Sequence, residues 1–115
     1  MRKSYKLTIR QQNHFAAVYN HGKSKGSQNL VVLYRKNGLE YSRMAYVASK
    51  KVGNSVQRNR SRRLMREAYR TMNYKLVPGY DVILVARQQI LDKKCKDVQR
   101  SLFGVLRAEQ LLEKL

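Results

Sequence analysis

Between Lys50 and Arg70 the chain reads KKVGNSVQRNRSRRLMREAYR, eight Lys and Arg against one acid, Glu67. So charged a stretch can join a folded domain only through an apolar side. Taken as a helix from about Ser55, it places Leu64, Met65, Ala68, Tyr69 and Met72 on one arc. That is the i, i+3, i+4 spacing of a side packed on a core. Arg58, Arg62, Arg66 and Arg70 stand four apart, and Arg60 and Arg63 widen the same side. Like charges at this spacing repel by about 0.2–0.5 kcal/mol per pair. A helix that needed only solubility would intersperse Glu. The arrangement predicts a face that binds a polyanion.

The rest of the chain has the same bias: 25 Lys and Arg against 7 Asp and Glu, a net charge of +18. Clustered base of this kind points to nucleic acid. A hydrophobic content of 43% excludes a wholly disordered tail, and 115 residues suit one domain with one core. The single Cys95 has no partner for an internal disulfide and no companions for a zinc site, which predicts a reducing cytoplasm. No run approaches the roughly 18–20 apolar residues that span a bilayer. The segment MRKSYKLTIRQQ lacks the apolar run of a secretory signal. No membrane partner is expected.

Residues 1–6 are basic and expected to be mobile. Thr8, with Gln11 three positions on, predicts a capped helix to about Asn20, ended by Gly22. Phe15 and Tyr19 lie one turn apart on it. Residues 22–29 (GKSKGSQN) read as a polar loop and residues 29–36 (NLVVLYRK) as a strand. Asn37-Gly38 is a turn signal, so a second strand from Tyr41 to about Lys50 predicts an antiparallel hairpin. Asn54 or Ser55 caps the basic helix, and Pro78-Gly79 closes the segment after it. Residues 80–87 (YDVILVAR) are the most strand-like run, apolar enough for burial on both faces. A short connection at 88–93 leads to a last helix of about Lys94 to Lys114, striped by Val98, Leu102, Val105, Leu106 and Leu112. The order αββαβα predicts an α+β fold, a single-domain α–β sandwich over residues 1–115.

Catalysis by the protein's own side chains has little support. The 7 carboxylates are dispersed, with no pair spaced for acid–base work or a two-metal nuclease site. His14 and His21 could share a helix face but have no carboxylate or Cys beside them. Cys95 lies among Lys93, Lys94 and Lys96, which could lower a thiol pKa, yet no base accompanies it and it reads as structural. The Gly53-Asn54 turn beside Lys50 and Lys51 feeds a helix N-terminus, whose N–H groups suit a phosphate. An ordinary strand-to-helix turn is the alternative. Arg58-Asn59-Arg60 supplies guanidinium forks that match phosphate oxygens and an amide that can pair with a base edge or a backbone group.

Ser49-Lys50-Lys51-Val52-Gly53-Asn54-Ser55-Val56, followed by Arg58-Asn59-Arg60, Arg63-Leu64 and Arg66, resembles the signature of the bacterial ribonuclease P protein subunit, the "RNR" motif. Phe15 with Tyr19, His21-Gly22, the strand ending in Leu33-Tyr34, and Val82 to Val85 before Ala86-Arg87 fall in the same order. The resemblance covers essentially residues 7–112. It implies an α–β sandwich with a small mixed sheet and a left-handed βαβ crossover, against the usual right-handed rule. It also implies a division of labour. A large catalytic RNA removes the 5′ leader from precursor tRNA with Mg²⁺. The protein, an accessory subunit with no catalytic residue or metal site of its own, binds that RNA and the single-stranded leader. Carried over by position, Lys50, Lys51, Asn54, Arg58, Asn59, Arg60, Arg63 and Arg66 would face the RNA. Phe15, Tyr19 and Tyr34 would line a leader cleft, and one protein per RNA is expected.

A non-enzymatic RNA-binding protein, such as a ribosomal protein, would share composition and fold, and only the signature separates the two. A DNA-binding architectural protein would need a helix-turn-helix spacing that the chain does not show. Freed of copurifying RNA, the chain in Mg²⁺ is expected to leave precursor tRNA intact. Correct 5′ processing by the protein alone would refute the reading.

Overall fold

A strand that is apolar on both faces must be covered on both, and that decides the architecture. The computed structural model describes residues 8–115. The elements run α1 (Gln12–His21), β1 (Lys23–Gly26), β2 (Leu30–Lys36), β3 (Arg43–Val47), α2 (Ser55–Arg70), β4 (Tyr74–Leu76) and β5 (Tyr80–Ala86). A 3-10 turn (Gln88–Asp92), α3 (Cys95–Ala108) and β6 (Leu112–Lys114) follow. β5 lies inside a four-stranded sheet of order β1-β2-β5-β3. β2 runs antiparallel to it, with Tyr34 opposite Val82, and β3 runs parallel, with Ala45 opposite Ile83.

Side chains alternate along each strand. Leu30, Val32, Tyr34, Val82 and Leu84 therefore join Met65 and Ala68 of α2 and Leu102 and Leu106 of α3 in the larger core. Leu33, Ala45, Ile83 and Val85 face the other way, onto Phe15 and Val18 of α1. Burying each large aliphatic side chain is worth about 1.5–3 kcal/mol. Helices thus cover both faces of a mixed sheet, an α+β sandwich.

Several sequence-based expectations change. The expected hairpin of β2 with β3 does not form, because β5 inserts between them, and β2 pairs instead with β1 on its other edge. Paired to each other, β2 and β3 would have left one edge of the most apolar strand open. Thr8 does not cap α1. It bridges in parallel to Met44, and Gln11 occupies the N-cap without a side-chain bond. Ile9 N–H donates to Met44 O at 3.3 Å, so the sheet holds the segment that would have formed the cap. Residues 23–26 are not loop but the edge strand β1, exposed throughout, so no alternation marked them. The last helix stops at Ala108. The chain then turns through Gln110 (φ 60) into β6, which pairs antiparallel with the short β4. Leu112 consequently lies on a strand, and Leu111 is the buried neighbour. Gly22 does end α1, in extended backbone. A Cβ there would sit 2.5 Å from Val18 O and 2.7 Å from Tyr34 O, so close approach requires the glycine. The expected mobility of residues 1–6 lies outside the described residues.

One buried charge pins these layers together. Asp81 of β5 is 5% exposed. Arg43 of β3 donates to it through Nε at 2.8 Å and Nη2 at 2.6 Å, and the Asn37 amide donates at 2.9 Å. Nη1 of the same arginine lies 3.1 Å from His14 Nδ1 on α1. Removing one member of a buried pair leaves the other uncompensated, at about 3–5 kcal/mol. Asp81→Ala should lower the urea unfolding free energy by about that amount, and the double change Arg43→Met with Asp81→Leu should recover most of it. An unmoved Asp81→Ala midpoint would show that the pair contributes nothing.

Candidate nucleic-acid interface

The basic helix begins with a closed capping box. The Asn54 side-chain oxygen accepts from Gln57 N–H at 2.9 Å, and Gln57 Oε1 accepts from Asn54 N–H at 2.8 Å. Gly53 precedes it at φ 152, where a Cβ would meet Gln57 Oε1 at 2.0 Å. Two donors that the sequence offered to a phosphate are thus engaged inside the helix. Arg58 turns back as well, donating to Gly53 O at 2.8 Å and bracing the turn. Asn59 accepts through its side-chain oxygen from Arg62.

The remaining predicted residues do project. Lys50, Lys51, Arg60, Arg63 and Arg66 are exposed. The Arg66 guanidinium lies 5.2 Å from the centroid of the Tyr46 ring, which holds it at the helix edge. Burial raises the Tyr46 hydroxyl's pKa despite that cation, so the ring stays neutral beneath it. Among the described residues the ion pairs are Arg43–Asp81, Arg70–Glu67 and Lys75–Glu113. On α2, therefore, acid answers only Arg70, and the outer row keeps its charge.

The predicted aromatic trio divides. Phe15 is half-buried against the α1 face of the sheet, beside Leu33, Val47 and Val85, and Tyr19 on the same helix is 51% exposed. Tyr34 lies on the opposite face, 7% exposed. Its hydroxyl donates to Glu109 at the end of α3, and its ring meets Tyr80 edge-on, centroids 6.2 Å apart. Strand alternation is the reason: Leu33 faces α1, so Tyr34 cannot. Burial and the Glu109 carboxylate push the Tyr34 hydroxyl up to about 12.

In place of Tyr34, Leu33, Val47 and Val85 pack with Phe15 under α1, and a separate hollow of about 390 Å³ between α1 and the sheet is bordered by His14, Val18, Arg35, Lys36, Arg43 and Asp81. Residue parity along β2 and β5 could have identified these once the strands were paired. Lys50 follows Val47 by three residues, at most about 11 Å of chain. The groove under α1 therefore opens beside the basic turn. One surface can hold phosphates, and the other can stack unpaired bases. No helix among the described residues is long and apolar enough to cross a membrane.

The ribonuclease P family model matches residues 1–109. The ribonuclease P protein component of Clostridioides difficile (strain 630) is 40% identical over 100 residues, 86% of this chain and 88% of its own. That of Caldanaerobacter subterraneus subsp. tengcongensis is 38% identical over 109 residues, 94% of each. Among solved structures, the RNase P protein of Staphylococcus aureus superposes with a TM-score of 0.80 at 29% identity, covering 93% of this chain and 98% of that one. The Thermotoga maritima RNase P protein gives 0.76 at 28%, covering 88% and 96%.

The Tyr34 assignment has its own test. Because its folded pKa is raised above the ordinary 10.0, its contribution is present below pH 10 and is lost as pH rises towards about 12. Tyr34→Phe should cost about 1.5 kcal/mol in urea unfolding at neutral pH. It should also remove a phenol that ionises near pH 12 from the ultraviolet titration. Loss of a phenol from the ordinary band near pH 10 instead would put that hydroxyl in solvent.

Proposed function

The chain belongs to the bacterial ribonuclease P protein family, and from that premise we propose how its surfaces divide the work. As a member it is a subunit of the endoribonuclease ribonucleoprotein that matures tRNA 5′ ends, and it works with an RNA subunit. The relatives separate it from the ribosomal-protein reading, since they are ribonuclease P protein components.

The observation that carries the proposal is the row Arg60, Arg63 and Arg66, held outward with no acid opposing it. Together with Lys50 and Lys51 it binds structured RNA of the catalytic subunit through phosphates. Guanidinium forks fit that geometry better than ammonium groups do. Asn54, Arg58 and Asn59 shape the turn and first helical turn that present it. Across the sheet, Phe15 and Tyr19 with Leu33, Val47 and Val85 take the unpaired leader of precursor tRNA, because aromatic faces stack bases with little sequence preference.

The chemistry itself falls to the RNA. Of the 7 carboxylates, five have structural partners: Asp81 with Arg43, Glu109 with Tyr34, Glu67 with Arg70, Glu113 with Lys75, and Asp97 at the cap of α3. Among the described residues no three His, Cys, Asp or Glu gather to hold a metal ion. On this reading Mg²⁺ acts in the holoenzyme and is held outside the protein's own side chains. One single-domain protein serves one RNA, in the cytoplasm.

If the arginine row engages about five phosphates, log affinity for the RNA subunit should fall with log salt at a slope of roughly −4.5. Arg60→Ala, Arg63→Ala and Arg66→Ala together should make it shallower by roughly 2–3 while circular dichroism stays native. An unchanged slope would move the contact elsewhere.

The groove has a separate test. Phe15→Ala should weaken precursor tRNA binding to preassembled holoenzyme by about 5- to 150-fold and barely affect mature tRNA. Tyr34→Phe should affect neither. Equal losses for both ligands would return Phe15 to the core.

A further inference from the structure

A second strip of base and aromatic rings lies away from both surfaces. On α3, Lys96, Arg100, Phe103 and Arg107 follow at spacings of four, three and four, one line along the outer side of the helix. Val98, Leu102, Val105 and Leu106 bury the opposite side. Asp97, the only acid in the helix, points back to its start, where Oδ2 accepts from Lys94 N–H at 3.1 Å. It leaves the cationic line unopposed.

The rings on this strip are arranged. Phe103 meets Tyr74 of β4 with centroids 5.0 Å apart at 55°, and the Arg107 guanidinium lies 5.9 Å from the Phe103 centroid. Phe103 and Tyr74 wall a hollow of about 410 Å³, with Lys96 and Arg100 at its rim. Beyond Tyr74 a second hollow of about 480 Å³ runs to Lys114, and Asn73 borders both. No Asp or Glu side chain lines either one, and Leu115 borders the second beside Lys114. The result is a groove with two half-buried rings in its middle and cations at each end. Its chemistry is that of single-strand recognition: a cationic track for the backbone and aromatic faces for the bases.

We propose that this strip binds unpaired nucleotides of the RNA subunit, with bases on Tyr74 and Phe103 and phosphates on Lys96, Arg100 and Lys114. The assignment rests on the reading of α2 as the face for that RNA. α2 ends at Arg70, and the next residue, Thr71, is part of the wall of the first hollow, so the strip continues that surface. The α1 groove proposed for the leader lies across the sheet. The same RNA would then grip the protein at two places, a phosphate-reading helix and a base-stacking groove.

The test compares three full-length variants for binding to the RNA subunit across a salt series. Lys96→Gln with Arg100→Gln changes only exposed side chains and should make the salt slope shallower by about 1.4, two phosphates at the single-strand coefficient. Phe103→Leu keeps apolar volume beside Tyr74 but removes the face, and should weaken binding about 5-fold or more with little change in slope. The preference of assembled holoenzyme for precursor over mature tRNA should be untouched by both. The Arg60, Arg63 and Arg66 triple variant runs in parallel. A loss there with parental slope and affinity in the Lys96/Arg100 variant overturns this inference and leaves the α2 reading standing. Parental affinity in the triple variant overturns the α2 reading itself. A loss confined to precursor tRNA shows that the strip serves the substrate, and overturns the assignment to the RNA subunit.

Discussion

The Asp81 carboxylate is the constraint on which the arrangement depends. A charge 5% exposed is tolerable only with its hydrogen bonds met. Here the donors come from β3 through Arg43 and from the turn after β2 through Asn37. The pair fixes the register of the parallel β3–β5 ladder, since Arg43 stands opposite Asp81. Through His14 it also fixes the angle of α1 on the sheet. A slip of one residue in β3 would turn Arg43 to the other face and expose Ala45 and Val47 to the wrong core. The groove under α1 exists in one shape because that ion pair admits one register.

Charge of the opposite sign is handled by segregation. With 25 basic residues to 7 acidic ones, most cations have no acid to pair with. The fold leaves them on α2 and along the outer line of α3, away from the core helix sides marked by Met65, Ala68, Leu102 and Leu106. Concentrated like charge works against the compact state and falls in strength with salt. A bound polyanion relieves it. The same residues that make the isolated protein electrostatically uncomfortable therefore favour its complex with RNA.

Whether an aromatic serves a ligand or the core is settled by strand parity and by what its polar atom meets. Tyr34 is consumed by packing: its hydroxyl has Glu109, and its ring has Tyr80. Tyr46 is a platform for Arg66, an intramolecular use of the ring face. Tyr19 is exposed, Phe15 is half-buried, and Tyr74 and Phe103 border a hollow even with Arg107 beside the Phe103 ring; those are the positions left for stacking on a base.

The sequence by itself determined the basic helix, its Asn54 cap, its buried arc of Met65, Ala68 and Met72, the double-faced β5 and the apolar stripe of α3. Each rests on local periodicity or on capping chemistry within four residues, which a linear reading can follow. The signature around Arg58-Asn59-Arg60 was legible for the same reason. Tertiary structure alone decided which strands pair. β5 draws β2 and β3 to its two edges across 38 and more residues of chain, and no local signal encodes that choice against a hairpin. From the pairing came everything the sequence could not give: Tyr34 turned from the groove, Leu33 turned into it, Asp81 matched with Arg43, and Tyr74 set against Phe103. Long-range register sets the face of each side chain, and the face decides whether a residue stabilises the core or meets the RNA.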